Sequence, residues 1–277
     1  MSEKELSLNE IHQETLTVLR KIISICEIIN VDYCLGYGSM LGAVRHGGFI
    51  PWDDDLDIIM MRQDFDKFVS YCTKHSDQLI PYKLISIESN PDYPYCIPRF
   101  CDTRYKMVTS DDTPDAGMGM FIDIYPFDGA GKMSEKQIKM TAMKKKFLME
   151  CLYYNDRKKY VGSKKRGIYS FIRFFIYVYA RLAGKQHFVK ALNKLAYKYD
   201  YSDSENVECM IWNQWCKPVP KRVFSSYITV PFETIQVKIP EGYDTFLKIV
   251  YGNYMELPPE EKRHPTHSYS LYRIAVK

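Results

Sequence analysis

Nothing in the 277-residue sequence approaches the ~18 uncharged apolar residues that a membrane-spanning helix needs. The first residues, Met1-Ser2-Glu3-Lys4-Glu5, are polar, and the apolar positions after them recur with helical period instead of forming a continuous leader run. The expected location is therefore the cytoplasm. No Cys-x-x-Cys pair occurs among the eight cysteines (Cys26, Cys34, Cys72, Cys96, Cys101, Cys151, Cys209, Cys216), and their spacing is irregular. That argues against structural zinc and, without an export signal, against disulfides. Cys26 and Cys34 sit among apolar residues, as small core side chains do. Internal repeats and low-complexity tracts are also missing, and 46% hydrophobic residues is the composition of an ordinary globular protein.

Acidic residues are absent from one long stretch. Between Asp156 and Asp200 there are twelve Lys/Arg and no Asp or Glu, which leaves 26 basic against 34 acidic residues elsewhere. A net charge of +4 thus hides a strongly cationic segment on a mildly acidic remainder.

What is there begins with a helix. Ser7-Leu8-Asn9-Glu10 reads as a capping box, and Ile11, Leu16, Leu19, Ile22, Ile23, Cys26 and Ile29 follow at helical spacing, with Asn30 as the stop. Tyr33 to Tyr37 reads as a short strand, with Gly38-Ser39 as its exit turn and a helical turn starting near Met40. Asp55 to Met61 reads as a second strand and Arg62 to His75 as a helix with Phe65, Phe68, Val69 and Cys72 on one face. Further strands are predicted over 83–88, 95–100, 105–109 and 120–126. The pattern is helical from Ser134 to about Tyr199 and Pro-rich and mixed from Val219. The expected class is α+β, a mixed β-sheet core with flanking helices and an appended helical subdomain. The expected divisions are a catalytic core over 1–132, a basic helical subdomain over 133–217 and a C-terminal segment over 218–277 that returns to the site.

The most informative residues are Gly38-Ser39 and Trp52-Asp53-Asp54-Asp55-Leu56-Asp57-Ile58. Strand alternation puts Asp55 and Asp57 on one face, with Asp53 sharing their parity and Asp54 turned away. Two carboxylates about 7 Å apart along a strand repel unless something neutralises them. A hard divalent cation with oxygen ligands does so, and Mg²⁺ held by carboxylates and substrate phosphate suits the pattern. An EF-hand is excluded, because its glycine and terminal Glu are missing at the required spacing. Asp123, between Ile122 and Ile124, offers a third carboxylate from a neighbouring strand. Gly38 allows close backbone approach, and Ser39 with the following amides could hold a phosphate at a helix N-terminus. Three convergent aspartates beside a Gly-Ser turn are the apparatus of metal-assisted displacement at phosphorus.

The run from Tyr37 through Asp57, Tyr37-Gly38-Ser39-Met40-Leu41-Gly42-Ala43-Val44-Arg45-His46-Gly47-Gly48-Phe49-Ile50-Pro51-Trp52-Asp53-Asp54-Asp55-Leu56-Asp57, resembles the signature of the LicD family of phosphocholine transferases. That family has a nucleotidyltransferase-like fold and is related to fukutin and fukutin-related protein. The resemblance continues through Phe121-Ile122-Asp123-Ile124-Tyr125-Pro126-Phe127-Asp128. It returns at Tyr251-Gly252-Asn253-Tyr254-Met255-Glu256-Leu257-Pro258-Pro259 and Arg263-His264-Pro265-Thr266-His267, whereas 133–217 carries no such motif. It implies a CDP-choline donor, phosphocholine as the transferred group, CMP as the product, and a sugar hydroxyl of a teichoic-acid or lipooligosaccharide precursor as acceptor. Asp55 and Asp57 match the family's metal pair and Asp123 its third acidic position, as ligand or general base; Asp53 is a further candidate ligand. The cofactor implied is Mg²⁺, with Mn²⁺ as the alternative.

Arg45, His46, Arg99, Arg263, His264 and His267 are candidates to neutralise the donor diphosphate. Trp52 and Tyr125 are nominated to face the quaternary ammonium. In residues 166–183, Ile168, Phe171, Ile172, Phe175, Tyr179, Leu182 and Ala183 form an apolar face opposite Arg166, Ser170, Arg173, Tyr177 and Arg181. Either this face packs into the core, or it lies on the anionic inner face of the membrane, where a lipid-linked glycan acceptor is found. Rival readings are a same-family enzyme carrying ribitol phosphate or glycerol phosphate, an RNA nucleotidyltransferase, and a decayed glycan- or lipid-binding protein. No RNA-binding module is recognisable, so nucleic acid is not an expected partner.

Overall fold

The computed structural model describes residues 4–109, 116–156, 168–212, 216–265 and 269–274. Helix α1 (Leu8–Ile29) starts on the expected capping box: the Ser7 hydroxyl accepts the Glu10 N–H, and Glu10 accepts the Ser7 N–H. It stops at Asn30, which takes a left-handed conformation. Its Leu16, Leu19, Ile22 and Cys26 are buried, and it packs on the central strands of the sheet.

Strand β1 (Cys34–Leu35), helix α2 (Tyr37–His46), strand β2 (Asp57–Met61), helix α3 (Arg62–Lys74) and the short α4 (Ser76–Leu79) follow in order. Then come β3 (Tyr82–Ile85), β4 (Arg99–Asp102), β5 (Tyr105–Thr109) and β6 (Met120–Gly131). The sheet runs β1-β2-β6-β4-β3, with β2 and β6 parallel and the other pairs antiparallel. The expected mixed sheet with flanking helices is the fold observed.

Every residue of β2, and all of β6 up to Ala130, is buried, so these strands are covered on both faces. Such strands show no hydrophobic alternation in sequence. For that reason β6 extends beyond the expected end at Pro126. Pro126 stands opposite Met60 of β2, after β4's last partner, Asp123, and before the first residue paired to β7, Asp128.

Helices α5 (Glu135–Asp156), α6 (Ile168–Ala183) and α7 (Lys185–Ala196) pack on one another as a lobe. The chain then returns to the sheet, since β7 (Asn206–Glu208) pairs with the end of β6 and β8 (Val219–Pro220) pairs with β7. A hairpin of β9 (Tyr227–Phe232) and β10 (Ile235–Pro240), helix α8 (Tyr243–Tyr251) and β11 (Tyr269–Arg273), paired to β5, complete the fold. The eight cysteines are all free, and seven are buried.

The lobe is tied to the sheet by a buried ion pair. Lys145 is fully buried, and its ammonium donates to Glu208 Oε1 (3.0 Å) and to the Cys209 carbonyl (2.7 Å). Lys145→Ala leaves a buried carboxylate without its cation and is expected to destabilise the protein by about 3–5 kcal/mol. Urea unfolding monitored by circular dichroism checks this; an unchanged midpoint would mean that Glu208 is not held as a carboxylate.

Candidate active site

Three adjacent strands bring the charged residues together. Asp57 opens β2 and stands opposite Asp123 of β6, and Asp123 on its other side stands opposite Arg99 of β4. Asp55, Asp57 and Asp123 each offer a carboxylate oxygen, and these three atoms lie within 4.8 Å of one another. The convergence does not come from alternation along one strand, because β2 begins at Asp57 and Asp55 lies in the irregular segment before it. For the same reason Asp54 is not simply turned outward. It is buried, and with Asp53 and Asp55 it forms a second group of three oxygens within 4.8 Å.

Asp57 is the most constrained of the set. Burial, and then the negative charge of Asp55, Asp123 and Asp53, pushes its carboxyl well above the ordinary range, with Arg99 pulling the other way. Its Oδ1 is buried and has no hydrogen-bond partner among the described residues. An orphaned buried oxygen facing two further carboxylates fits a hard divalent cation, and the all-oxygen donor set suits Mg²⁺ or Mn²⁺.

Arg99, expected as a diphosphate ligand, is buried against Asp123. Its Nε donates to Oδ1 (2.6 Å) and its terminal nitrogen to Oδ2 (3.4 Å). Its guanidinium lies between the rings of Tyr95 (4.1 Å) and Phe121 (3.9 Å). Its role in this geometry is to fix the orientation of the Asp123 carboxylate.

Gly38 and Ser39 lie inside the first turn of α2, which begins at Tyr37 and not near Met40. The buried Ser39 hydroxyl accepts the Asp57 N–H (2.8 Å), and the Gly36 N–H donates to the Asp57 carbonyl (2.8 Å). The helix start is thus stitched to the first residue of β2, and Ser39 orients Asp57. A Cβ at Gly38 would sit 2.8 Å from Asp53 Oδ2, so only glycine fits there without displacing that carboxylate. Tyr37 itself has φ of 38°, an uncommon conformation for an aromatic residue. Its ring meets Tyr125 edge-on (4.7 Å) and lies 5.8 Å from Phe246.

Two recesses share Tyr251, the last residue of α8. One is a cavity of about 170 Å³ lined by Tyr37, Phe127, Phe246, Tyr251, Glu208 and Lys217. The other is an open depression of about 500 Å³ that includes Arg45, Trp52, Tyr251 and Asn253. Desolvation, then the negative charge of Asp57, Asp53 and Asp55, raises the pKa of the Tyr251 phenol.

Of the remaining expected residues, Arg45 and Trp52 line the depression. Arg45 donates to the carbonyls of Tyr254 (2.8 Å) and Glu256 (3.3 Å) and to His46 Nε2 (3.0 Å), clamping the signature loop to the tail. Partial burial and Arg45 lower the pKa of His46, whose ring meets Trp52 edge-on at 6.3 Å. Arg263 lies over Trp52 (5.7 Å) and donates to the Pro258 carbonyl. His264 is exposed, with Nδ1 3.0 Å from the Pro265 carbonyl. Tyr125 is buried beneath Tyr37 and near Trp212 instead of lining either recess. His267 lies outside the described residues.

Residues 30–154, which contain α2, β2, β4 and β6, match the model of the LicD/FKTN/FKRP nucleotidyltransferase domain. The chain carries a LicD-family domain. It is 29% identical over 278 residues to the lipopolysaccharide cholinephosphotransferase LicD of Haemophilus influenzae, covering 97% of this chain and 99% of that protein. A shorter match, 44% identical over 45 residues, joins it to the ribitol 5-phosphate transferase FKRP of human and of mouse, covering 16% of this chain and 9% of those proteins. The LicD-family domain thus contains all three aspartates of the cluster, whereas Tyr251 and the tail lie beyond its matched span.

Sequence reasoning missed Tyr37, Phe127, Phe246, Tyr251, Glu208 and Lys217 as wall residues. Tyr37, Phe127 and Tyr251 fall inside the quoted motifs and could have been nominated from them. Glu208 and Phe246 carry no local signal, because only the returning strand β7 and helix α8 bring them to the cavity.

Proposed function

We propose that the protein transfers phosphocholine from CDP-choline to a sugar hydroxyl of a lipid-linked surface-glycan precursor and releases CMP. The observation carrying this reading is the convergence of Asp55, Asp57 and Asp123 beside a small aromatic cavity. The full-length likeness to a cholinephosphotransferase supports the choice of group.

Asp55, Asp57 and Asp123 are the residues to hold Mg²⁺ or Mn²⁺, with Asp53 adjacent. The bound ion supplies positive charge to the phosphate oxygens and to the departing phosphate. The acceptor hydroxyl oxygen forms the new bond to the choline-bearing phosphorus, and the bond from that phosphorus to the bridging oxygen breaks. CMP leaves with the electron pair, and the hydroxyl proton passes to a carboxylate of the cluster. Arg99 holds the Asp123 carboxylate in place, and Ser39 holds the Asp57 backbone.

About 170 Å³ is below the roughly 300–1,000 Å³ of whole-ligand sites, so the aromatic cavity suits a head group instead of a nucleotide. Aromatic rings there favour a trimethylammonium. The open depression with Arg45 and Trp52 is of nucleotide size. Tyr251 is 43% exposed and can be truncated without opening the core. Tyr251→Ala is expected to raise KM for CDP-choline roughly 3- to 30-fold, the range of one cation–π contact. The rise should be smaller for CDP-ethanolamine.

The polar Glu208 and Lys217 in the same wall, with the FKRP likeness, favour a second reading in which a polyol phosphate such as ribitol phosphate is carried. The test is acceptor-dependent CMP release by the full chain with Mg²⁺ and CDP-choline, CDP-ethanolamine, CDP-ribitol or CDP-glycerol. Turnover of CDP-ribitol or CDP-glycerol without CDP-choline would replace the first reading by the second.

A further inference from the structure

Helix α6 is packed inside out. The stripe that carries its arginines faces the lobe: Arg173 pairs with Glu150 of α5 (3.0 Å), Tyr177 meets Tyr154 (5.7 Å), and Ala180 is fully buried. The Ala180 carbonyl accepts from Asn155 (3.0 Å), and Arg181 donates to the Asn155 carbonyl (3.2 Å). The apolar stripe faces away. Phe171 is 63% exposed, Phe175 53% and Leu182 83%, with Ile172 and Tyr179 also exposed.

The apolar surface continues onto α5. Tyr179 stacks with Phe147 (6.2 Å), and Met143 (72% exposed) and Met140 lie one and two turns further along the same face. Lys136, Lys139, Lys144 and Lys146 are exposed around them, and no acidic residue occurs between Glu135 and Glu150 or anywhere in α6.

We propose that this ribbon of α5 and α6 docks on the surface of an anionic lipid bilayer. Phe171, Phe175 and Leu182 enter the headgroup–acyl boundary, and the lysines of α5 lie among the headgroup phosphates. Exposed large side chains in a continuous ribbon mark an interaction surface. Its charge identifies the partner. Lysine is depleted in protein–protein interfaces, but a lysine-rich border on an aromatic face is the composition of an interfacial helix. No helix among the described residues is long and apolar enough to cross a membrane, so the contact is peripheral. This inference uses no residue of the candidate active site and stands whatever group is transferred.

The experiment is co-sedimentation of the full chain with vesicles of phosphatidylglycerol and phosphatidylcholine, compared with phosphatidylcholine alone. The expected result is binding to the anionic vesicles at low salt, at least tenfold weaker on neutral ones, and falling with added NaCl. Replacing Lys139, Lys144 and Lys146 by Gln should weaken partitioning on the order of a hundredfold, and replacing Phe171, Phe175 and Leu182 by Ser on the order of tenfold or more. Circular dichroism and Tm of both variants report whether the fold is kept; the lysine variant removes no packing and keeps the test decisive if the apolar variant misfolds. Wild-type protein that ignores anionic vesicles at low salt would overturn the proposal. So would unchanged binding by the folded variants, or a soluble dimer that the Ser variant dissolves without any vesicle binding.

Discussion

Asp57→Asn is expected to lower acceptor-dependent CMP release on the order of a thousandfold or more while making the metal-free protein more stable. Both effects have one cause. The Asp57 carboxylate is buried, has an unpartnered oxygen and is crowded by Asp55 and Asp123. Its folded-state pKa is raised, so without a cation it costs stability at neutral pH, and the cost is relieved as pH falls through that raised value. The isosteric amide removes the charge and keeps the shape. A gain of about 1 kcal/mol corresponds to roughly 2–4 °C in Tm for a chain of this size. Asp55→Ala and Asp123→Ala should lose activity on the same scale, but Asp123→Ala also strands the buried Arg99 and should be destabilised. A folded Asp57→Asn retaining more than a tenth of wild-type turnover would remove Asp57 from the reaction.

Exhaustive chelation with EDTA is expected to bring turnover to background, with Mg²⁺ or Mn²⁺ restoring it. A readout besides turnover is available. A cation that binds only the folded state stabilises it by mass action, by about 2.7 kcal/mol at a hundred times Kd. Mg²⁺ should therefore raise Tm of the wild type and leave Asp57→Asn nearly unmoved. Turnover that survives chelation would overturn metal-assisted displacement. A Tm shift of equal size in both proteins would put the ion elsewhere.

Local chemistry was legible where it is written in adjacent residues. Ser7, Glu10 and Asn30 bound α1 as expected, and the helix after Arg62 and the strand Tyr105–Thr109 lie where periodicity puts them. The aspartates were identified from their pattern, but the reason for their convergence was not. Alternation along one strand predicts that Asp55 and Asp57 share a face, whereas it is the parallel register of β2 and β6 that pairs Asp57 with Asp123. Arg99 looked like a phosphate ligand because sequence cannot show that β4 places it against Asp123. The start of α2 at Tyr37 is not legible in sequence, because Gly36 offers no capping side chain and Tyr37 takes a positive φ. Periodicity predicts an apolar stripe on α6 but does not say which stripe meets the protein.

The clamp from Arg45 to the Tyr254 carbonyl spans 209 positions of sequence. During synthesis Asp57 emerges well before its strand partner Asp123, and the segment that fastens the signature loop emerges later still. A nascent or truncated chain therefore holds acidic residues without the neighbours that assemble them into a site. The signature loop can therefore reach its clamped form only after residues 254–256 have been made.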